Sequence, residues 1–386
     1  MTISPMLEIN EMIREMGGTD LNECMQCGLC SGICPWGKVD SPFLTRVLIR
    51  MGQLGIEGYE TDDILFACTT CKLCVDNCPR NIDIIGIIEA MRTAIAEYGG
   101  LPSTLKAITG SIHANGNPWS GDRADRFKWA EQLNLPKYDV SKEYFLFVCC
   151  TSCYDPRGKK IANSLVKIFN EVKLSYGVIG TEESCCGQAI RKAGALNEFE
   201  MLKQNNSQLF RKNGVKRIIV TSPHCLVGFK ENYEEFENIE IFHYVQIILD
   251  LLKKGKLKVK EKLVNKIIYH DPCYMGRHAK LYEEPREVLK LINDGELIEF
   301  DENREFSLCC GAGGGRMWME TPPEKRFSDI KVKEAVEKGA EIIATCCPYC
   351  ISMFEDSVKT TGNSDKLIVK DIAELVYEAI TGGENA

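Results

Sequence analysis

The chain has 386 residues, 44% hydrophobic and 26% charged, with 55 acidic against 47 basic side chains and a net charge of -8. That length supplies two or three ordinary cores, which excludes a disordered chain, and the acidic balance leaves no basic field for a polyanion, which excludes nucleic acid. The 20 cysteines are too sparse for a small disulfide scaffold and too many to be incidental, so their positions decide the chemistry.

The segment Met1-Thr2-Ile3-Ser4-Pro5-Met6 has no basic stretch leading into an apolar run, so a cytoplasmic location is expected by default. No stretch approaches the roughly 18 apolar residues of a membrane helix. Direct membrane insertion is therefore not expected, and a place peripheral to the membrane would go through a partner. Residues 4–16 read as a helix: Ser4 caps it, Pro5 suits its first turn, and Ile9, Met12, Ile13 and Met16 recur at helical spacing. Ser41-Pro42 starts a second, with Phe43, Leu44, Val47, Leu48 and Met51 on one apolar face. Ile84, Ile85, Ile87, Ile88, Met91 and Ile95 repeat the pattern until Gly99-Gly100 stops it.

Those helices flank two cysteine runs, Cys24-x2-Cys27-x2-Cys30-x3-Cys34-Pro35 and Cys68-x2-Cys71-x2-Cys74-x3-Cys78-Pro79. Each matches the bacterial ferredoxin spacing for a 4Fe-4S cluster, in which three cysteines reach one cube and the fourth ligates the other. One cubane is thus expected on Cys24, Cys27, Cys30 and Cys78, the second on Cys68, Cys71, Cys74 and Cys34. Zinc prefers separated C-x2-C pairs, so it fits these runs poorly. With no base or nucleophile beside them, two one-electron clusters suit a relay.

Residues 99–125 are rich in Gly, Ser, Asn and Pro and read as an irregular connector. Beyond it, strand-like runs at Phe145–Val148, Arg217–Thr221, Lys266–Tyr269 and Glu341–Thr345 alternate with amphipathic stretches, the rhythm of an α/β unit with a largely parallel sheet. This part is a duplication. Cys153, Cys185-Cys186-Gly187 and Ser222-Pro223-His224-Cys225 return as Cys273, Cys309-Cys310-Gly311 and Cys347-Pro348-Tyr349-Cys350, at offsets of 120, 124 and 125 residues. The lysine-rich stretch Lys253–Lys260 between the halves reads as a solvated helix end and linker.

In the second half Cys273, Cys309, Cys310, Cys347 and Cys350 converge at strand ends. Five thiolates exceed the four ligands of a cubane or a structural zinc, which suits a larger or more open iron-sulfur centre. Gly311, Gly313 and Gly314 let the backbone approach a bulky inorganic group, where amide N–H groups donating to sulfur would raise its potential. The glycine run lacks the third glycine and the acidic partner of a dinucleotide fingerprint.

The segments His270-Asp271-Pro272-Cys273, Cys309 to Glu320 and Cys346-Cys347-Pro348-Tyr349-Cys350 resemble the cysteine-rich CCG domain of heterodisulfide reductases. With the ferredoxin part, nearly the whole chain resembles the D-type chain of that enzyme, equivalent to its C-type and B-type chains fused. The resemblance implies that Cys273, Cys309, Cys310, Cys347 and Cys350 hold a noncubane 4Fe-4S cluster that cleaves a disulfide by one-electron steps. Similar proteins serve beside electron-transfer flavoproteins and in quinone-linked or benzoyl-CoA reductase systems. The implied partners are a flavoprotein, a ferredoxin-type donor or a membrane quinone-linked subunit.

One departure matters. The first half offers Cys153, Cys185, Cys186 and Cys225, but Ser222 stands where the second half has Cys347. A modified cluster, a ligand borrowed from His224 or Cys150, zinc, or an empty relic all stay open. A metal is preferred, because four gathered thiols without one are an oxidation hazard. His270 is a candidate proton donor to a departing thiolate or an anchor of the Cys273 loop; Arg277 and Arg316 either meet an anionic group or form surface salt bridges; Trp318 reads as packing. Cys149, Cys150 and Cys346 have no assigned role.

The expected architecture is α+β and multidomain: a helical two-cluster ferredoxin domain (1–98), a connector (99–141), a first CCG domain with a degenerate motif (142–256) and a second with a complete one (257–386). Two readings of function follow. One is an iron-sulfur oxidoreductase subunit in which the CCG centre exchanges electrons with a disulfide or partner redox centre; the other is a non-catalytic electron-transfer module of a larger complex.

Overall fold

The computed structural model describes residues 5–39, 41, 43–56, 58, 59, 64–236 and 238–383. Ser4 and Pro42, the expected helix-start signals, lie outside them. The first three expected helices form at Leu7–Glu15, Thr45–Leu54 and Ile84–Glu97. The last is the axis of the N-terminal part: Asp83 caps it by accepting from the Gly86 amide at 2.9 Å, and eleven of its residues, Ile84, Ile85 and Ile87–Ile95, are buried. Helix Thr45–Leu54 is rotated from the expected face, with Leu48, Ile49 and Gly52 inward and Leu44 and Val47 exposed. Gly52 decides this, since a Cβ there would meet Leu21 at 3.2 Å and Ile13 at 3.4 Å, so the helix packs where it has least bulk.

The connector is not irregular throughout. Helix Ser103–Asn115 lies within it, because Leu105, Ile108 and Ile112 make a buried stripe at helical spacing that outweighs the Gly and Ser content. Gly116 ends it in the left-handed conformation, φ 67°.

The remainder holds two four-stranded sheets, parallel throughout and of identical order. The strands are β1 (Tyr144–Phe147), β2 (Tyr176–Gly177), β3 (Arg217–Val220) and β4 (Glu240–His243), then β5 (Ile267–Tyr269), β6 (Leu297–Glu299), β7 (Ile342–Thr345) and β8 (Ile368–Asp371). The orders are β2-β1-β3-β4 and β6-β5-β7-β8. All four strands expected from sequence are the central pairs, whose burial on both faces yields unbroken apolar runs. The edge strands carry charges such as Glu240 and Lys370 or are only two residues long, and have no such signature.

One apolar core spans both sheets, running from Leu146 and Ile219 through Tyr244 to Ile268 and Ile343. At this junction the Tyr244 hydroxyl donates to Asp371 at 2.5 Å, and Arg157 of the first half pairs with Glu374 of the second at 2.6 Å. Burial raises the Asp371 carboxyl to about 7 despite the hydrogen bond from Tyr244. A raised carboxyl stabilises the folded chain below its unfolded value, near 3.8, and that contribution is lost as pH rises through about 7. Thermal melts of Asp371→Asn should therefore vary less between pH 4.5 and 7.5 (about the span of this titration) than those of the parent. An unchanged slope would assign the pH dependence elsewhere.

Candidate metal centres

Both ferredoxin runs curl in the same way. Gln26 and Gly28 have φ of 61° and 88°, and Thr70 and Lys72 have φ of 51° and 70°, so a left-handed residue sits between and after the first two cysteines of each run. Gly28 and Lys72 then lead into short helices, Leu29–Gly32 and Leu73–Asp76, carrying the third cysteine of each run. The loops cross. Cys24, Cys27, Cys30 and Cys78 line one pocket together with Arg46 and Arg80, and Cys27 is exposed. Cys34 instead faces Cys71 and Cys68, and its thiol is pushed well up by burial and then by those neighbours. Burial raises Cys74 likewise, followed by repulsion from Cys68, Cys71, Cys34 and Cys30.

The second CCG site is a chain of thiols at the carboxyl ends of β5, β6 and β7. Cys273 Sγ lies 3.8 Å from Cys309 Sγ, Cys309 contacts Cys310, Cys310 Sγ lies 3.2 Å from Cys350 Sγ, and Cys350 is hydrogen-bonded to Cys347. Hydrogen bonds from Cys309 and then Cys350 lower the Cys310 thiol to about 5. The Gly311 amide donates to Cys309 Sγ at 3.4 Å. Cys346, outside this chain of contacts, meets the Tyr269 hydroxyl at 3.5 Å.

The two kinds of site touch. The Cys71 thiol lies against that of Cys309, the largest influence on its ionisation. Around this contact the Arg277 Nε donates to the Cys71 carbonyl at 2.6 Å and its Nη1 to that of Ser307 at 2.7 Å. Arg92 donates to the carbonyls of Leu65, Cys68, Lys192 and Gly314 at 2.7–3.2 Å, joining the ferredoxin part to both CCG halves.

Several expectations change here. Gly313 and Gly314 face the ferredoxin loop, not the CCG thiols: Cβ atoms there would stand 2.1 Å from the Thr69 carbonyl oxygen and 2.4 Å from that of Cys68. The run is bare so that two backbones can dock, which also leaves no cradle for a nucleotide. Arg277 and Arg316 are buried, not surface salt bridges; Arg316 donates to the Glu320 carbonyl at 2.8 Å and to Thr321. His270 is fully buried, and neither ring nitrogen has a hydrogen-bond partner among the described residues. It does not anchor the Cys273 loop. Asp271 does, through two 2.7 Å bonds from Arg286 and one of 2.8 Å from the Arg304 amide. Burial, then Lys331, hold His270 well below the usual imidazole range, so it is neutral, and its ligand atoms lie within 4.8 Å of those of Cys310 and Cys350.

The first CCG site is a second group of buried thiols. Cys150 Sγ lies 3.5 Å from Cys185 Sγ, Cys185 contacts Cys186, and Cys186 contacts Cys225. Cys153, expected here, turns away and donates to the Val148 carbonyl at 3.5 Å. Strand register explains the difference. Leu146 pairs with Ile219 and Tyr269 with Ala344; these partners stand six residues before Cys225 and Cys350, so Leu146 and Tyr269 are equivalent and Cys150, four residues on, matches Cys273. Aligning each half on its strand rather than on repeated cysteine order would have found it.

The two CCG sites face one another through equivalent residues. His224 and Tyr349 follow the proline of each loop, and their rings lie 4.6 Å apart; His224 also stacks on Tyr274 at 3.9 Å. Tyr274, next to Cys273, bonds Thr70 of the ferredoxin loop at 2.9 Å. Trp318 packs edge-on against Tyr349 at 5.9 Å.

The donor set fits the groups the sequence implies. Across the cysteine sites burial and mutual repulsion raise some thiols, such as Cys74 and Cys273, while neighbouring thiols lower others, such as Cys310. The glycine amides after each cysteine pair are aimed at sulfur, an arrangement that bound cations compensate. Two crossed ferredoxin loops joined through a thiol contact to cysteine sites on parallel sheets define an iron-sulfur electron-transfer protein. The 4Fe-4S dicluster domain matches residues 20–82, and the cysteine-rich CCG domain matches twice, at 144–230 and 267–355. The chain belongs to the CCG-domain iron-sulfur oxidoreductases, with a ferredoxin domain fused to two CCG domains, and is similar to the D-type chain of heterodisulfide reductase. It is 31% identical to the EtfAB:quinone oxidoreductase of Syntrophomonas wolfei over 94% of this chain and 58% of that protein. Identity is 33% to the probable iron-sulfur-binding oxidoreductase FadF of Bacillus subtilis, over 97% of this chain and 62% of that one. With the D-type chain of the dihydromethanophenazine:CoB--CoM heterodisulfide reductase of Methanosarcina barkeri it is 29%, over 94% of both. The chain thus spans about three-fifths of the first two relatives and nearly all of the third. Among the described residues no helix is long and apolar enough to cross a membrane.

Proposed function

We propose that this chain is an electron-transferring oxidoreductase subunit of the heterodisulfide reductase type. Electrons enter at a cubane on Cys24, Cys27, Cys30 and Cys78, whose Cys27 is exposed, and pass to one on Cys34, Cys68, Cys71 and Cys74. From there they reach a noncubane 4Fe-4S centre on Cys273, Cys309, Cys310, Cys347 and Cys350. The observation that carries this reading is the apposition of the Cys71 and Cys309 thiols, close enough that Cys309 is the largest influence on Cys71, which brings the ferredoxin part against the CCG site. The terminal reaction is reduction of a disulfide, RS–SR′ + 2e⁻ + 2H⁺ → RSH + R′SH, or exchange with a partner redox centre. Since each cubane delivers one electron, the CCG centre would stabilise the half-reduced sulfur. Neutral His270 suits a hydrogen-bond donor to a sulfur of that centre, while the two protons of the reaction come from solvent. The electron supply comes from a flavoprotein, a ferredoxin-type donor or a quinone-linked subunit at a membrane, with the chain itself on the cytoplasmic side. The domain limits we propose are 1–98, 142–256 and 257–386, with 99–141 between the first two.

A second reading, a non-catalytic module in a larger complex, is compatible with the burial of the five thiols, of which Cys273, at 6%, is the most exposed. Anaerobic purification followed by native mass spectrometry and EPR, with and without a thiol-disulfide pair, tests both. Iron near about 8 per chain would leave only the cubanes and overturn the noncubane centre. A CCG signal that answers the disulfide supports the reductase, whereas one that answers only a reduced flavoprotein supports the module. Cys309→Ser should abolish the CCG signal and spare the ferredoxin signals; loss of neither would mean that the ligands are misassigned.

A further inference from the structure

We propose that the first CCG site is also a complete five-thiolate centre, with Cys149 supplying the ligand that Ser222 cannot. In the second site the thiols run in the order Cys273, Cys309, Cys310, Cys350, Cys347. In the first they run Cys150, Cys185, Cys186, Cys225, and the chain does not stop there: the Cys225 thiol lies against that of Cys149. Cys149 thus stands to Cys225 as Cys347 stands to Cys350.

The replacement comes from the neighbouring strand. Cys149 follows β1, while Cys347 follows β7, the counterpart of β3, and the two central strands of each sheet are adjacent. The turn after β3 holds it in place, since the Cys149 amide donates to Thr221 Oγ1 at 2.9 Å. Ser222 is otherwise engaged: its hydroxyl accepts from the His224 amide at 3.3 Å as the cap of helix Pro223–Asn232. At the position equivalent to Cys149 the second half has Pro272, with no donor. Each half therefore carries one thiol at this corner, on opposite strands. All five first-site cysteines are buried, and the Gly187 amide donates to Cys185 Sγ at 3.5 Å as Gly311 does to Cys309. Five thiolates with such donors exceed what a tetrahedral zinc takes and match the set proposed for the second site, so the ligand is an iron-sulfur centre of the same class.

This inference rests on the proposed reading of the second site only for the class of centre, and the two separate experimentally. The full-length chain, prepared anaerobically, is compared with Cys149→Ala, Cys153→Ala, Ser222→Ala and Cys149→Ala/Ser222→Cys by iron and zinc content and Mössbauer spectroscopy. Cys149→Ala should lose about 4 iron atoms per chain, Cys153→Ala and Ser222→Ala none, and the double variant should regain them with the parent spectrum. Cys309→Ser reports the second site independently: it should remove a different set of iron, and if it removes none, only the second-site reading fails. Ferredoxin EPR signals serve as the folding control. Should Cys149→Ala not fold, recovery of fold and iron in the double variant carries the test. Iron retained in Cys149→Ala, iron lost in Cys153→Ala, or zinc in place of the first-site iron would overturn the proposal.

Discussion

Replacing Arg92 by methionine is expected to cost about 3–5 kcal/mol of stability, because a buried cation is lost and its carbonyl partners keep no donor. The side chain is fully buried, and its charge is disfavoured by that burial, partly offset by Cys68 and Glu89. It persists because its guanidinium serves Leu65 and Cys68 of the ferredoxin part, Lys192 of the first CCG half and Gly314 of the second. Lysine does not substitute, since one ammonium cannot reproduce the planar fork. Thermal melts of the anaerobic protein read the loss, and limited proteolysis should show the ferredoxin part released first. A melt within about a degree of the parent's, roughly the shift that 1 kcal/mol produces in a chain of this length, would mean that the junction does not depend on this residue.

The second large effect is on the electron path. Gly313→Val places a Cβ where the Thr69 carbonyl oxygen stands 2.1 Å away, and both are backbone, so neither yields cheaply. The ferredoxin loop must retreat, at about 1–3 kcal/mol, and Cys71 retreats from Cys309 with it. Because Gly313 ligates nothing, iron content and the separate cluster signals should be unchanged while the second-site signal appears much more slowly after the ferredoxin clusters are reduced. Freeze-quench EPR measures that interval. An unchanged interval with unchanged iron would remove the Cys71–Cys309 contact from the path.

The same two residues show how far reading the chain alone can go. Arg92 is one arginine among many in a helical pattern, and nothing local marks it, since its partners lie 24 to 222 residues away. For Gly313, spacing beside the cysteine pair shows that something must come close, but not that it is a ferredoxin backbone instead of an inorganic group. His270 reads as a proton donor or a loop anchor because it stands beside Asp271 and near Cys273, whereas the anchoring falls to Asp271, held by Arg286 fifteen residues on, a pair invisible until the strands are assembled.

What the linear order of residues determined by itself is local. Ferredoxin spacing is set by the reach of a curled loop, central strands by unbroken apolar runs, and the duplication by repeated cysteine order; each depends on neighbours within one element or on a copied pattern. What only the tertiary structure decided is which thiols share a point. A shift of a few residues in strand register moves Cys150 into the first site in place of Cys153, and the adjacency of β1 and β3 brings Cys149 to the corner left by Ser222. Parallel pairing joins strands far apart in the chain, so the ligands of one centre are chosen by hydrogen-bond register and side-chain packing, quantities that spacing along a single chain does not contain.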